Sequence, residues 1–289
     1  MILFFWGRSL AGNWAGVRAF SWRVRWSWLV GSLTVLLVHQ PFLALAWQRI
    51  AAELGELLSL PQALRIYLTA QIARYVPGGV WDVAGRVYLA GEAGYSRTRI
   101  SVSILLEMVL HVVSAALFFL LTLPFWPDTA AVRPFAIALA VMAVGGLIGL
   151  HPAVLRPALL RLGRLTGRDV SLSRRLPFPA LLRLLGYQMV ARLLVGAAFA
   201  TFTLGVYALP AVEAPRLAGV FVAGWLVGFL VVIMPMGLGV REGAIAWLLT
   251  SVMPLPAATA VAVGFRILIA LRDLVLAGLG ARLGGDWRR

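Results

Sequence analysis

The sequence predicts an all-α fold, a polytopic transmembrane helical bundle with about 6–8 membrane segments, two of them broken or re-entrant at Pro-Gly motifs. Of its 289 residues, 61% are hydrophobic and 13% are charged, and the mean hydropathy is +0.91. Soluble domains have only ~45–50% apolar and ~25% charged residues. Several apolar runs reach the ~20 residues that a helix needs to cross the hydrocarbon core. Pro and Gly interrupt two of these runs, and both residues disturb helical hydrogen bonding.

The distribution of basic residues indicates a membrane protein rather than a nucleic-acid-binding protein. The formal net charge is +15, and the sequence contains Arg but no Lys. The Arg residues lie mostly in connections between apolar runs, which is the positive-inside pattern. The absence of Cys excludes disulfides and thiolate metal sites. Because His39, His111 and His151 are scattered along the chain, we expect no metal and no cofactor.

The two ends of the chain are predicted to lie on the cytoplasmic side. Residues 1–26 interleave Arg with Trp, including Trp14 and Trp22, which is typical of an interfacial segment with aromatic rings at headgroup level. Residues 27–281 are predicted to form a single transmembrane domain. Residues 282–289 form a basic cytoplasmic tail.

Apolar runs between these ends predict the regular spans. The most basic connection, His151–Arg183, is expected in the cytoplasm because Asp169 is its one acidic residue. Arg49–Leu60 is expected to be a further connection, and His39, Gln40 and Pro41 interrupt the apolar run before it. The predicted spans are Ser27–Trp47, Ile100–Leu123, Phe135–Leu150, Leu184–Leu209 and Ala257–Leu279.

The first broken element occupies Pro61–Ala90. A helix that enters at Ala63 is expected to break near Val76, because Pro77 has no N–H to donate. A second short helix is expected to restart near Val80. Backbone groups freed at membrane depth are tolerated only where they face protein or a wet cavity.

The second broken element lies within Leu217–Ser251, where Pro235, Gly237 and Gly239 interrupt an apolar run and Arg241 follows. Two interpretations stay open. The elements are paired broken helices at a transporter-type site, or they are two ordinary Pro-Gly turns at helix ends. The predicted topology requires the first element to cross once and the second to dip in and return.

Polar residues recur on one face of the Ile100–Leu123 span. Ser103, Glu107, His111 and Ser114 are spaced by three or four residues and therefore share a face. An ionised Glu at mid-bilayer is costly, so Glu107 is expected to face a partner or a cavity. Glu107 and His111 form either a proton- or substrate-linked pair or an interhelical hydrogen bond.

Charged residues also lie in two later spans. Arg192 lies near the inner third of its span and is expected to snorkel to the interface. Thr259, Arg266 and Asp273 are seven residues apart and share a face of the last span, with Arg266 the deepest.

These positions together suit the binding of an anion that carries an apolar tail. Half-helix N-termini present N–H groups and a positive dipole end, and Arg forms a bidentate fork with phosphate while keeping its charge. No GxxxxGK[ST], HExxH or GxSxG motif occurs, so an enzyme is not expected. The candidate binding residues are Arg74, Tyr75, Pro77, Gly78, Gly79, Asp82, Arg86, Glu107, His111, Pro235, Gly237, Gly239, Arg241, Glu242 and Arg266.

Two motifs in this order resemble a known membrane family. The first is Tyr75-Val76-Pro77-Gly78, followed by Arg86 and a Gly94-Tyr95-Ser96 turn, and the second has the pattern Pro-x-Gly-x-Gly-x-x-Glu from Pro235 to Glu242. They are similar to the signatures of the lysylphosphatidylglycerol synthase transmembrane family, the flippase-like domain related to multiple peptide resistance proteins. The resemblance covers about residues 27–281.

The resemblance implies a helical bundle in the plasma membrane that moves an anionic lipid or a lipid-linked glycan precursor. Synthase activity is not implied, because in that family a separate soluble domain supplies it and this sequence shows none. Many relatives carry Lys where Gly79 stands here, which implies a different headgroup preference. The alternatives are a non-transporting membrane partner of a glycosyltransferase or lipid-modifying enzyme, and an intramembrane enzyme that uses Glu107 and His111. Expected partners are membrane lipids, such an enzyme and a second copy of the chain.

Overall fold

The computed structural model describes residues 24–76, 80–127, 129–130, 132–166, 177–230 and 239–282. These ranges contain ten α-helices, with short 3-10 turns at Gln71–Tyr75, Leu123–Phe125 and Ala211–Glu213. In chain order the helices are α1 (Trp26–Glu53), α2 (Leu60–Ala70), α3 (Trp81–Glu92), α4 (Arg97–Thr122), α5 (Arg133–Leu150), α6 (Pro152–Thr166), α7 (Phe178–Val206), α8 (Ala214–Leu230), α9 (Val240–Leu249) and α10 (Leu255–Arg282).

Among the described residues, five helical segments are long and apolar enough to cross a membrane, namely α1, α4, α5, α7 and α8 with its preceding turn. The chain is therefore a multi-pass helical membrane protein. Helix α10 is as long as α1 but carries Arg266, Arg272 and Asp273, all of them buried. The larger number of membrane segments, which counts the two broken elements, stays a prediction.

The first span is longer than predicted. Helix α1 continues without interruption through Pro41 to Glu53, so Arg49 lies in a helix and the connection shrinks to residues 54–59. Ile50 and Ala51 are fully buried in this last part of α1. Their burial outweighs the charges of Arg49 and Glu53, which had suggested that the connection begins at Arg49.

The basic connection is also partly helical, contrary to prediction. Helix α6 occupies Pro152–Thr166, and α7 begins at Phe178, so Arg183 lies inside α7. Leu155 and Leu159 pack one side of α6 against buried apolar residues, while Arg156 and Arg161 are exposed. This amphipathic pattern was hidden by the high Arg content of the segment.

The chain divides into two compact units. Unit 1 comprises Met1–His39, Phe118–Arg133 and Arg192–Arg272, and unit 2 comprises Gln40–Leu117, Pro134–Ala191 and Asp273–Arg289. In unit 1, the rings of Phe199, Phe221 and Phe265 pack together with centroids 5.0–5.2 Å apart. In unit 2, Trp47 and Tyr67 belong to one cluster of buried apolar residues.

A capped turn fixes the approach to the first broken element in unit 2. Gly55 has a φ of 88°, which favours Gly, and lets the chain reverse after α1. Ser59 and Gln62 then form a capping box at the start of α2. Helices α1 and α2 run antiparallel, because Trp47 near the end of α1 and Tyr67 in the second half of α2 have ring centroids 6.0 Å apart. The Gln48 Nε2 hydrogen bond to the Leu58 carbonyl at 2.7 Å holds the connection against α1.

The predicted break in the first element is confirmed. Helix α2 ends at Ala70, a 3-10 turn covers Gln71–Tyr75, and Val76 has extended backbone angles. Helix α3 then begins at Trp81, one residue after the predicted restart. In the second element, α8 ends at Leu230 and α9 begins at Val240.

The same order of elements occurs in each unit. In unit 2, α2 and its 3-10 turn precede an interruption, the short helix α3 and the N-terminal part of α4. In unit 1, α8 precedes an interruption, the short helix α9 and the greater part of α10. Both interruptions thus lead into a short helix that is followed by a long one.

Candidate functional site

A buried ion pair links the short and the long helix of unit 2. Arg86 of α3 is 7% exposed and Glu107 of α4 is 1% exposed. Arg86 Nη1 donates a hydrogen bond to Glu107 Oε2 at 2.5 Å. Either charge alone would be costly inside a membrane protein. The expectation that Glu107 faces a partner is therefore confirmed, and the partner is Arg86.

Two aromatic side chains hold this pair in place. The Arg86 guanidinium carbon lies 4.9 Å from the Tyr67 ring centroid and 5.4 Å from the Trp47 ring centroid. The Tyr67 hydroxyl donates to Glu107 Oε1 at 3.2 Å, and Trp47 Nε1 donates to Ser103 Oγ at 3.0 Å. Cation–π contacts of this kind favour a charged guanidinium away from water.

His111 lies one helical turn beyond Glu107. Its Nε2 is 3.8 Å from Glu107 Oε1, which is beyond hydrogen-bond distance. The interhelical hydrogen bonds of Glu107 go to Arg86 and Tyr67 instead. A proton- or substrate-linked role of the Glu107–His111 pair stays a prediction.

A second polar cluster in unit 2 surrounds Asp273, which is fully buried in α10. The Tyr75 hydroxyl donates to Asp273 Oδ2 at 2.8 Å, and Arg74 Nη1 lies 3.8 Å from the same oxygen. Both residues end the 3-10 turn directly before the interruption. These contacts connect α10 to the 3-10 turn that follows α2.

The remaining predicted residues of the first element lie at the interruption. Asp82 is in the first turn of α3, where the helix dipole favours a carboxylate. No side chain in the described ranges caps Val80 at the start of that helix. Pro77, Gly78 and Gly79 lie outside the described residues.

In unit 1, Glu242 closes the first turn of α9. The Gly239 N–H donates to Glu242 Oε2 at 2.8 Å, and Gly239 has a φ of 81°, which favours Gly. One N–H group at this end of the helix, that of Gly239, is therefore engaged by Glu242. The expectation that the half-helix N-termini present N–H groups to a ligand stays a prediction. Pro235 and Gly237 lie outside the described residues.

Glu242 also pairs with an Arg of the following long helix. Arg266 Nε lies 3.6 Å from Glu242 Oε1, and both side chains are buried. Arg241 is buried with its guanidinium carbon 4.9 Å from the Phe221 ring centroid. A Cβ added to Gly228 would meet the Arg241 Cβ at 2.7 Å, so Gly at this position permits the close approach of α8 and α9.

A match to a protein-family model shows which family the chain belongs to. The model described as "Lysylphosphatidylglycerol synthase TM region" matches residues 1–277. The chain belongs to this family. The match includes both interrupted elements and confirms the resemblance drawn from their motifs. No curated protein and no solved structure matches the chain.

Each unit of this family member carries a buried ion pair between its short and its long helix. The helix that supplies the Arg in one unit supplies the Glu in the other. In unit 2 the short helix supplies Arg86 and the long helix supplies Glu107, 21 residues later. In unit 1 the short helix supplies Glu242 and the long helix supplies Arg266. Each pair also has a second donor to the carboxylate, from the Tyr67 hydroxyl or the Gly239 amide.

Sequence reasoning missed several partners in these clusters. The sequence predicted that Asp273 shares a helix face with Thr259 and Arg266. Residue spacing within one helix cannot show its contacts with Arg74 and Tyr75 from another part of the chain. A buried carboxylate in a membrane helix is itself a signal of function or pairing, and that signal was available. Arg192 was expected to snorkel, yet it is buried with its guanidinium carbon 4.2 Å from the Trp225 ring centroid.

The clusters consist of Arg guanidinium groups and hydrogen-bond donors that surround buried carboxylates. Within the described ranges, no group of three or more His, Asp or Glu side chains is placed to hold a metal ion. The buried carboxylates of Glu107, Glu242 and Asp273 are engaged by Arg, Tyr and backbone N–H donors. The arrangement presents buried guanidinium groups that an oxyanion would bind well.

Proposed function

We propose that this family member translocates an anionic lipid, or a lipid-linked glycan precursor, between the leaflets of the membrane. The observation that carries the proposal is the buried Arg86–Glu107 pair directly after an interrupted helix. Arg inside a membrane domain is costly and marks substrate pathways. A phosphate group is the lipid component that a guanidinium recognises best.

The pair suits an exchange of partners during binding. An arriving phosphate competes with Glu107 for the guanidinium of Arg86. When Arg86 turns to the phosphate, the Glu107 carboxylate keeps the hydrogen bond from Tyr67. A buried carboxylate stripped of all donors would be strongly unfavourable, so this second donor lowers the cost of releasing Arg86.

The same exchange is available in unit 1. If Arg266 turns to a phosphate, the Glu242 carboxylate keeps the hydrogen bond from the Gly239 amide. Each unit can therefore offer an Arg to an oxyanion while its carboxylate stays bonded. Repeated exchange of this kind would allow a headgroup to bind and leave without a large barrier.

Movement is proposed to follow a gradient of the lipid or of an ion. The sequence contains no Gly-rich nucleotide loop of the GxxxxGK[ST] kind. Binding at an interrupted helix followed by rearrangement of the surrounding helices is the usual design of gradient-driven transporters.

The second candidate function is that of a non-transporting membrane partner of a glycosyltransferase or lipid-modifying enzyme. The exposed Arg residues of α6 favour it, because they offer a basic surface to another protein. These residues are Arg156, Arg161 and Arg164. A scaffold of this kind would keep its function when buried charges are neutralised, provided that it still folds.

A leaflet assay tests the proposal. The purified protein is placed in liposomes with fluorescent anionic, zwitterionic or polyprenyl-phosphate lipids, and an impermeant reductant bleaches the outer leaflet. We expect bleaching beyond the outer-leaflet share for an anionic lipid, and its loss in Arg86→Gln. Arg97→Gln is the matched control, because Arg97 is exposed and pairs with the exposed Glu92 at 3.3 Å.

Folding is checked on the same samples by size-exclusion chromatography and thermal unfolding. If folded wild-type protein bleaches only the outer leaflet with every lipid, translocation is refuted and the partner function is favoured. If Arg86→Gln and Arg97→Gln reduce transport equally, the role given to the buried pair is refuted.

A further inference from the structure

Unit 2 contains a set of buried polar groups that take no part in the Arg86–Glu107 or the Arg74–Asp273 ion pair. Gln40, Gln71 and Gln188 are 1%, 4% and 0% exposed. The Nε2 atoms of Gln40 and Gln71, both amide atoms of Gln188 and the Thr69 Oγ1 have no hydrogen-bond partner among the described residues. We call these four residues the amide layer. Three fully shielded amides in one membrane unit call for partners that the described chain does not supply.

Helix register brings two members of the amide layer to one level. The rings of Trp47 in α1 and Tyr67 in α2 have centroids 6.0 Å apart, and the two helices are antiparallel. Gln71 lies about 6 Å beyond Tyr67 along its helix, and Gln40 lies about 10 Å beyond Trp47 in the same direction. The two amides are therefore within about one helical turn of each other along the axis.

Two further contacts bring in the other helices of unit 2. The rings of Phe42 in α1 and Tyr187 in α7 have centroids 6.1 Å apart, so Gln188 lies near the level of Gln40. A Cβ added to Gly280 of α10 would lie 3.3 Å from the Thr69 Oγ1, which brings α10 close to the same region. The amide layer thus draws on α1, α2 with its 3-10 turn, and α7, and α10 packs against it.

The amide layer adjoins the cluster around Asp273. Arg74 and Tyr75 follow Gln71 within the same 3-10 turn. The Arg74 side chain is 26% exposed and its ion pair with Asp273 is long, at 3.8 Å. Arg74 is therefore held less tightly by its carboxylate than Arg86 is by Glu107. Uncharged, buried hydrogen-bonding groups therefore lie beside a cation that can still turn toward an oxyanion.

We propose that the amide layer is a headgroup subsite that takes hydroxyl groups, while Arg74 takes the adjoining phosphate. Side-chain amides donate and accept, so they match hydroxyl groups, which do the same. An ammonium group needs a carboxylate, and Asp273 is already engaged by Tyr75 and Arg74. The layer selects polyol or sugar headgroups over amine-bearing ones. This inference rests on the proposed function and names the headgroup chemistry of the cargo at a second position, beside Arg74 rather than Arg86.

Binding to three lipids tests the selectivity. Phosphatidylinositol, phosphatidic acid and phosphatidylethanolamine are added separately to the protein in detergent, and the rise in unfolding temperature gives each dissociation constant. Wild type is expected to bind phosphatidylinositol about tenfold more tightly than phosphatidic acid, as one or two added hydrogen bonds would provide. Phosphatidylethanolamine is expected to bind most weakly.

Leucine variants separate a binding role from a structural one. Gln188→Leu is expected to lose the tenfold preference without a fall in unfolding temperature, because it also removes an unpartnered buried amide. Gln71→Leu should do the same. Gln48→Leu is the matched control, since Gln48 donates to the Leu58 carbonyl at 2.7 Å, and it should keep the preference.

The outcomes distinguish this inference from the proposed function. If Gln188→Leu keeps the preference and only gains stability, or if wild type binds phosphatidylethanolamine most tightly, the amide-layer subsite is refuted. If lipids cross the membrane without any headgroup preference, the subsite is refuted and translocation stands. If phosphatidylinositol is bound selectively but no lipid crosses, translocation is refuted and the subsite stands as a binding site.

Discussion

Removing one partner of the Arg86–Glu107 pair should destabilise the protein far more than removing both. The two atoms are 2.5 Å apart and Glu107 is 1% exposed, so neither charge has water as a substitute partner. Breaking a buried pair on one side typically costs about 3–5 kcal/mol, because the other charge is left uncompensated. Replacing both members by apolar residues of similar volume is often neutral or stabilising.

We therefore expect Glu107→Gln to lower the free energy of unfolding by about 3–5 kcal/mol. Arg86→Met with Glu107→Leu should stay within about 1–2 kcal/mol of wild type. Unfolding by sodium dodecyl sulfate in mixed micelles, followed by the fluorescence of the 11 Trp residues, measures both values. A loss below about 1 kcal/mol for Glu107→Gln would mean that water reaches the pair, and the reasoning from burial would be refuted.

Three further predictions concern packing, the Asp273 cluster and topology. Gly219→Val should cost at least about 1–3 kcal/mol of unfolding free energy, since a Cβ there would lie 2.2 Å from the Thr122 Oγ1. Gly243→Ala, where a Cβ meets nothing within 4 Å, should be near neutral in the same unfolding experiment. Tyr75→Phe, which removes the hydroxyl that donates to Asp273, should lower the free energy of unfolding by about 1.5–3 kcal/mol. A smaller loss would show that this hydrogen bond is dispensable. Because the chain has no Cys, a single Cys at Arg156 should react with an impermeant thiol reagent only from the cytoplasmic side, and labelling from outside would overturn the predicted orientation.

The interruption of the first element was predictable because its cause is local. Pro77 lacks an N–H whatever surrounds it, and α2 with its 3-10 turn does end before it, at Tyr75. The membrane class was predictable for a similar reason, since the length and apolarity of the runs depend on composition alone.

Helix boundaries failed where tertiary packing overrode local polarity. Arg49 and Glu53 suggested a connection, but Ile50 is fully buried and α1 continues to Glu53. The Arg-rich connection suggested irregular structure, but Leu159 packs α6 against the apolar residues of unit 2. The polarity of a single residue does not show which side chains from other helices will pack against it in the fold.

Partners of buried charges could not be predicted from spacing. A helical period shows that Glu107 and His111 share a face, but it does not show that Arg86 faces them from another helix. The closure of α9 by Glu242 likewise depends on Gly239 having a positive φ, which the motif permits but does not require. The family signatures marked the two interrupted elements, and the contacts made by those elements had to be observed.

The central claim is that the guanidinium of Arg86, at its own position, binds the headgroup during translocation. The charge-exchanged variant Arg86→Glu with Glu107→Arg tests it most directly, because it keeps an ion pair between α3 and α4 while moving the cation to the other helix. The account predicts a folded protein, judged by thermal unfolding, whose lipid translocation in the leaflet assay is lost. Translocation at the wild-type rate in this variant would contradict the account, because it would show that the pair only holds the two helices together.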